Sequence, residues 1–322
     1  MKILITGASG FIGSHMVEEG LRQGHEVWAA MRATSSKRWL TDPRIHFIEL
    51  NLGSDEALRQ QISSHVREHG AWDHVIHAAG ATKVKNPDDF FRINRDGTLR
   101  LARTLLAEKA LSGRFVFVSS LSIMGALHED DYAPIRDDEE AKPNTAYGKS
   151  KLEAEHGLAA MTDLDYVVLR PTGVYGPREM DYKIMADSIR KHIDFAAGYK
   201  KQVITFIYVA DVVQAAFKAL TRGERGHAYI LSDGCDYSSR SFSDLIQQTL
   251  GTRCVLHIKA PLWLLRLVCH LGVSPTLNMD KYNILSQRSW RCDITPAQRD
   301  LGFQPEWPLK RGVEACKEWY SE

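Results

Sequence analysis

Tyr147 and Lys151 stand four residues apart in the run Asn144-Thr145-Ala146-Tyr147-Gly148-Lys149-Ser150-Lys151, a spacing that puts both side chains on one face of a helix. A free phenol titrates near ~10 and exchanges protons poorly at neutral pH. A fixed ammonium in a poorly hydrated cleft favours the phenolate, so the two residues together could transfer a proton. Lowering a pKa by ~3 units corresponds to roughly 4 kcal/mol of differential interaction. The same spacing also occurs on plain helix surfaces, so the elements around the pair decide what it means.

The first of those elements is the amino terminus. Lys2-Ile3-Leu4-Ile5-Thr6 is a short apolar run of the kind that makes a buried strand. Gly7-Ala8-Ser9-Gly10-Phe11-Ile12-Gly13 follows, and then a helical pattern over 14–23. Gly7 allows the tight turn, Gly10 lets the backbone approach a pyrophosphate, and Gly13 lets the helix pack on the sheet. The helix N-terminus then turns free N–H groups and a positive dipole end towards the phosphates.

Further strands are expected at 27–31, 45–50, 73–77, 114–118 and 166–170, separated by helices at 55–69, 88–109 and 146–161. This alternation predicts right-handed βαβ units and an α/β fold, a doubly wound parallel sheet of the Rossmann kind. Residues 1–172 form the expected dinucleotide-binding domain, to which segments around 203–232 return. Residues 173–322 form mainly a smaller C-terminal substrate-binding lobe, and the acid-rich stretch 125–143 is expected as a surface loop over the cleft.

The chain has 322 residues, 44% of them hydrophobic, enough for a substantial core. Its net charge of +1 gives no reason to expect nucleic acid. Five cysteines, Cys235, Cys254, Cys269, Cys292 and Cys316, lack metal-ligand spacing and read as reduced thiols of a cytoplasmic protein. The first strand begins at residue 2, so no signal peptide is expected.

Together these residues resemble the extended short-chain dehydrogenase/reductase family, also called the epimerase/dehydratase family. Thr6–Gly13 is similar to its opening signature, and Val75-Ile76-His77-Ala78-Ala79-Gly80 to its fourth-strand motif. Asn94-Arg95-Asp96-Gly97-Thr98, Phe117-Val118-Ser119-Ser120 and Arg170-Pro171-Thr172-Gly173-Val174-Tyr175-Gly176-Pro177 resemble later motifs, in the family's order. So does Leu301-Gly302-Phe303-Gln304-Pro305, followed by Trp319-Tyr320.

The resemblance implies a catalytic set of Tyr147, Lys151 and Ser120. Tyr147 exchanges a proton with the substrate oxygen, Lys151 holds the nicotinamide ribose, and Ser120 orients the substrate oxygen. Implied cofactor contacts are Gly7, Ser9, Gly10, Phe11, Ile12 and Gly13 at the diphosphate, and Arg32 and Ser36 at the adenosine ribose. Asn51 and Leu52 stand by the adenine, Ala78, Ala79 and Gly80 along the dinucleotide, and Pro171, Gly173 and Val174 by the nicotinamide. Thr82, Ser122, Tyr175 and Met180 are the candidate substrate-binding residues. Asn94 is expected to bridge backbone structurally, and His77 to be a satisfied buried histidine.

Enzymes of this fold that use NAD place an acidic side chain at the end of the second strand. Here Met31 stands there, followed by Arg32 and a polar loop with Ser36, Lys37 and Arg38. That favours NADP(H), with its 2′-phosphate, over NAD(H). Asn51 replaces the acid usual in the family beside the adenine.

Missing residues narrow the reaction. Family dehydratases carry an acidic pair where Leu121 and Ser122 follow Ser120. Many sugar-nucleotide epimerases carry an asparagine at the place of Gly173 and an arginine at the place of Ile204. Without those anchors a diphosphate is poorly held. The expected activity is therefore hydride transfer between NADP(H) and a hydrophobic or moderately polar secondary alcohol or ketone. Similarity to dihydroflavonol reductase-like and 3β-hydroxysteroid dehydrogenase-like members, through Arg32 and Ala78-Ala79-Gly80-Ala81-Thr82-Lys83, points the same way.

The alternatives are a nucleotide-sugar epimerase or reductase of the same family, and a dinucleotide-sensing regulatory protein. The apolar run 261–269 reads as core helix, dimer contact or pocket wall. It is too short for a membrane span and contains Arg266; weak attachment to a membrane surface stays open as an alternative, without a basic face to support it. A homodimer is the family expectation, with a small molecule as the substrate.

Overall fold

The computed structural model describes residues 1–271 and 278–322. Its opening run becomes β1 (Lys2–Thr6), with Ile3, Leu4 and Ile5 fully buried because helices cover both faces of the sheet. Gly7 follows at φ +69°, where a Cβ would lie 2.7 Å from the backbone of Ala78. The chain then enters α1 (Phe11–Arg22), three residues earlier than the expected helix. A Cβ on Gly13 would sit 2.1 Å from the Gly7 carbonyl oxygen, so only glycine lets α1 start this close to β1.

β2 (Glu26–Met31), β3 (His46–Glu49), α2 (Asp55–His69) and β4 (His74–His77) continue the alternation. The single helix expected over 88–109 is broken into α3 (Asp88–Phe90), a wider π-helical stretch at Phe91–Asp96, and α4 (Gly97–Ala107). β5 (Phe115–Val118), a short 3₁₀ turn at Leu121–Ile123, α5 (Ala146–Ala159) and β6 (Tyr166–Pro171) follow. Thr145 caps α5 by accepting from the Gly148 N–H at 2.9 Å.

Beyond β6 lie β7 (Gly173–Tyr175), α6 (Asp181–Arg190), β8 (Ile193–Ala197), β9 (Phe206–Tyr208), α7 (Val209–Ala219) and β10 (Ala228–Leu231). The remainder is α8 (Ser241–Leu250), β11 (Leu256–Ala260), α9 (Leu262–His270), α10 (Met279–Ser286), α11 (Leu309–Ala315) and α12 (Lys317–Ser321). Seven strands form one parallel sheet in the order β10-β6-β5-β4-β1-β2-β3, a doubly wound Rossmann sheet. β8 pairs with β11 and β7 with β9 in two small parallel ribbons. The strand order reverses between β1 and β4, which is where such sheets open a ligand crevice at their carboxyl ends.

Candidate active site

Each element at that crevice delivers one part. β1 and α1 supply the glycine turn. The α1 N-terminus has Gly10 as its N-cap and no side-chain cap, so its N–H groups remain available to an anion. With the close approach at Gly7 and Gly13, this cradle fits a dinucleotide diphosphate.

The 3₁₀ turn after β5 places Ser120 and Ser122 together, the Ser122 hydroxyl donating to Ser120 Oγ at 2.9 Å. Helix α5 brings Tyr147 opposite, its ring edge-on to Phe90 at 5.7 Å, and packs so closely on the 3₁₀ turn that a Cβ on Gly148 would lie 2.6 Å from the Ser122 carbonyl oxygen. Lys151, one turn further, is 4% exposed and donates to the Val118 carbonyl at 2.9 Å, above the Phe117 ring. Tyr147 and Lys151 thus lie on one face of α5, which packs on the turn that carries Ser120.

Their electrostatics differ from the expectation. Burial pushes the Tyr147 phenol up to about 12, against a smaller downward pull from the Ser120 hydroxyl. Burial pushes the Lys151 ammonium down to about 8, opposed by the negative charge of Glu155. The ammonium is committed to the Val118 carbonyl, so desolvation outweighs any help it gives the phenolate. At neutral pH the phenol keeps its proton and is set up as a donor.

A second layer holds these groups. Asn94 Oδ1 accepts from the Ala81 N–H at 2.7 Å, while its Nδ2 donates to the Ala81 carbonyl at 3.0 Å and to Ser150 Oγ at 3.1 Å. It ties the loop after β4 to α5, and it sits in the π-helical stretch that interrupts the expected helix. His77 lies between Thr6 Oγ1 at 2.6 Å and Thr98 Oγ1 at 2.8 Å, and burial pushes its pKa down to about 3. It is a satisfied, neutral histidine.

Residues absent from the expected set also reach the site. Glu155, on the same stripe of α5 as Tyr147 and Lys151, pairs with Arg170 at 2.7 Å and accepts from Ser119. Asp280 of α10 accepts from the N–H groups of Ala146 at 3.0 Å and Tyr147 at 3.4 Å. The i, i+4 spacing could have exposed Glu155 beforehand. Asp280 lies 133 residues from Tyr147, and no local pattern announces it.

At the adenosine end, Met31 is buried and Arg32 exposed. A turn closed by the Ser35 N–H donating to the Arg32 carbonyl at 2.9 Å leads to exposed Ser36. The side-chain oxygen of Asn51 accepts from Gly53 N–H at 3.0 Å, and the Leu52 carbonyl accepts from Arg100. Ala78, Ala79 and Gly80 line the end of β4. Pro171 ends β6, and Gly173 and Val174 open β7.

Among the substrate candidates, Thr82 and Met180 are exposed and Ser122 adjoins Ser120. Tyr175 is a correction. It is fully buried, edge-on to Phe242, Tyr208 and Phe206, so it serves the core and offers no surface to a ligand. Its neighbour Gly173 has no room for a larger residue, since a Cβ there would lie 2.8 Å from the Tyr182 hydroxyl. Ile204 packs against the core.

The model of the NAD dependent epimerase/dehydratase family matches residues 3–232. The chain belongs to that family. It is an NAD(P)-dependent enzyme of the extended short-chain dehydrogenase/reductase type. A UDP-glucose 4-epimerase of Vibrio cholerae is 24% identical over 97% of this chain and 93% of its own. A 4-hydroxy-2-methyl-3-oxo-4-farnesyl-3,4-dihydroquinoline-1-oxide ketoreductase of Stigmatella aurantiaca is 25% identical over 99% and 96%. The crystal structure of a Thermus thermophilus UDP-glucose 4-epimerase in complex with NAD superposes with a TM-score of 0.78, at 24% identity, over 100% of this chain and 99% of its own. Among the described residues no helix is long and apolar enough to cross a membrane, and no cluster of side chains could hold a metal ion.

Proposed function

We propose that the enzyme transfers a hydride between a nicotinamide dinucleotide and the carbon of a secondary alcohol or ketone. Tyr147 exchanges the proton with the substrate oxygen, Ser120 orients that oxygen, and Lys151 holds the nicotinamide ribose. The packing of the Tyr147 turn of α5 on the turn that holds Ser120, with Lys151 buried one turn further, carries this reading. The dinucleotide supplies the hydride acceptor or donor, and the chain's own residues position the oxygen and move its proton. Tyr147→Phe is expected to lower turnover at least about a hundredfold while dinucleotide binding persists. Near-normal turnover in that variant would remove Tyr147 from the mechanism.

For the substrate, the relatives support a nucleotide sugar more strongly than the free ketone favoured by the sequence, and epimerisation by transient oxidation is the first reading to test. Ketone reduction remains a second reading for a specific reason. Gly173 is walled in by Tyr182, and Ile204 is apolar, so neither offers a polar anchor to a diphosphate. Thermal stabilisation by UDP-, dTDP- or GDP-sugars separates the two. A rise in melting temperature with any of them supports the first reading, and silence across the panel with turnover of an apolar ketone supports the second. Neither turnover nor a substrate would leave the dinucleotide-sensing alternative.

The cofactor reading stands on Arg32. With no carboxylate directly after β2, and with Arg32 and Ser36 both exposed on the loop that follows it, the adenosine ribose site suits a 2′-phosphate. NADPH is expected to bind at least about tenfold more tightly than NADH, and Arg32→Ala to abolish the difference. Tighter binding of NADH by the unaltered enzyme would reverse this assignment, and the Thermus thermophilus structural neighbour was solved with NAD. A homodimer and a cytoplasmic setting remain part of the same proposal.

A further inference from the structure

The apolar surface of the small lobe is gathered on one side. In the β8–β11 ribbon Ile193 pairs with Leu256, Phe195 with Ile258 and Ala197 with Ala260. Paired residues share a face, so one face of the ribbon carries only apolar side chains. It is open, with Phe195 62% and Leu256 63% exposed. Asp194, on the other face, is buried and bonded to Ser243 and His257.

The chain leaves β11 through Pro261 straight into α9, and a Cβ on Gly198 at the end of β8 would lie 3.2 Å from Leu262. In α9 Cys269 points inward, whereas Trp263 (70%), Leu264, Leu267 and, at the C-cap, Leu271 (65%) face solvent. Positions 263, 267 and 271 stack along one side of a helix, so they form a stripe. An exposed apolar stripe continuous with an exposed apolar ribbon marks an interaction surface.

Its charge says what it meets. Residues 190–202 and 251–271 carry seven Lys or Arg and one acid, Asp194, in a chain whose net charge is +1. Of the seven, Arg190 is held by Asp187. Lys200 and Arg266 join no ion pair among the described residues and nearby Glu129 is committed to Arg288, whereas Lys259 pairs with Ala196 on the opposite face of the ribbon. The sequence concealed this basic rim because it comes from two separate stretches that only the β8–β11 pairing joins.

We propose that α9 and the open face of the β8–β11 ribbon dock on an anionic lipid bilayer. Trp263, Leu264, Leu267 and Leu271 enter the boundary between headgroups and acyl chains, and the flanking lysines and arginines meet the lipid phosphates. With nine residues and an arginine among them, α9 lies in the interface and does not cross it. A second copy of the chain fits this face less well, because a twofold contact would press the same basic residues together. The proposal is independent of the substrate's identity.

The test is cosedimentation of the full chain with phosphatidylcholine vesicles containing phosphatidylserine and with pure phosphatidylcholine vesicles. Binding to the anionic vesicles is expected to exceed binding to the neutral ones at least about tenfold at low salt and to weaken as salt rises. Trp263→Ser with Leu267→Ser is expected to lower it about tenfold. Lys200→Glu with Arg266→Glu is expected to remove the preference for anionic lipid, and both variants keep the parent melting temperature. Equal binding to the two vesicles, or none at low salt, overturns the proposal. So does a dimer that Trp263→Ser with Leu267→Ser converts to monomer while no lipid is bound, since that assigns the face to a second copy.

Discussion

Lys151 shows what the site costs the protein. Its ammonium is 4% exposed, and burial holds its pKa at about 8, below the ordinary 10.5. Between those values the unfolded chain binds a proton that the folded chain has lost, so stability rises with pH across that window. At neutral pH both states are protonated and the folded one carries the full desolvation cost. Lys151→Met is therefore expected to stabilise the fold at pH 7 by roughly 1–3 kcal/mol, the lost bond to Val118 offsetting part of the gain. Turnover should fall at least about a hundredfold. Urea unfolding and initial rates measure both, and a Met variant less stable than the parent would show that the ammonium holds the fold together. Spacing alone singled out Tyr147 and Lys151, because both sit on one face of a single helix, whereas Ser120 was expected from the family resemblance of the run that ends β5. The direction of the Tyr147 shift was not legible. It depends on how completely distant segments bury the phenol.

Helix α5 carries the proposed proton-transfer pair, and three separate contacts fix it. Asn94 holds it from the π-helical stretch, the Glu155–Arg170 pair holds it to β6, and Asp280 sits on its N-terminus. Of these, Asp280 joins α10 to the turn that carries Tyr147, the residue proposed to transfer the proton. Its carboxylate accepts from two of the free N–H groups of α5 and lies at the positive end of the helix dipole. α10 is further tied by Asn283 Nδ2, which donates to the Asn144 carbonyl at 2.7 Å. Asp280→Ala should destabilise the fold by about 1 kcal/mol and lower turnover, because Tyr147 is the second residue of the loosened turn. Asp280→Asn keeps an acceptor and should restore part of both. Unchanged turnover in the Ala variant would mean that Thr145 alone positions the helix. The helical pattern expected over 146–161 begins where α5 begins, and in the structure Thr145 caps that start. The sequence missed the break before α4, since the π-helical turn answers to Ala81 and Ser150, which lie outside that segment.

For the whole molecule, the buried histidines set the acid limit. His65 is 4% exposed and stacks on Trp72 at 3.9 Å, with Nε2 lacking a partner among the described residues. Burial lowers its pKa to about 4, and that of His77 to about 3. As pH falls below 6.5 the unfolded chain takes up protons that the folded chain refuses, so stability is lost between 6.5 and these lower values. Asp211 acts in the opposite sense. Burial raises its carboxyl to about 6, so the folded chain gains a proton first, and stability returns as pH falls from there towards 3.8. Taken as order-of-magnitude terms, the two histidines remove roughly 8 kcal/mol by pH 3 and Asp211 restores roughly 3. The net effect is a fall in stability below pH 6. His65→Phe keeps the ring stacked on Trp72 and removes the titration. Its stability at pH 7 should match the parent within about 1 kcal/mol, and its loss between pH 7 and pH 4.5 should be smaller by roughly 2 kcal/mol. Urea unfolding at the two pH values measures the difference. An identical loss in parent and variant would exclude His65 from the acid transition and leave His77 as its source.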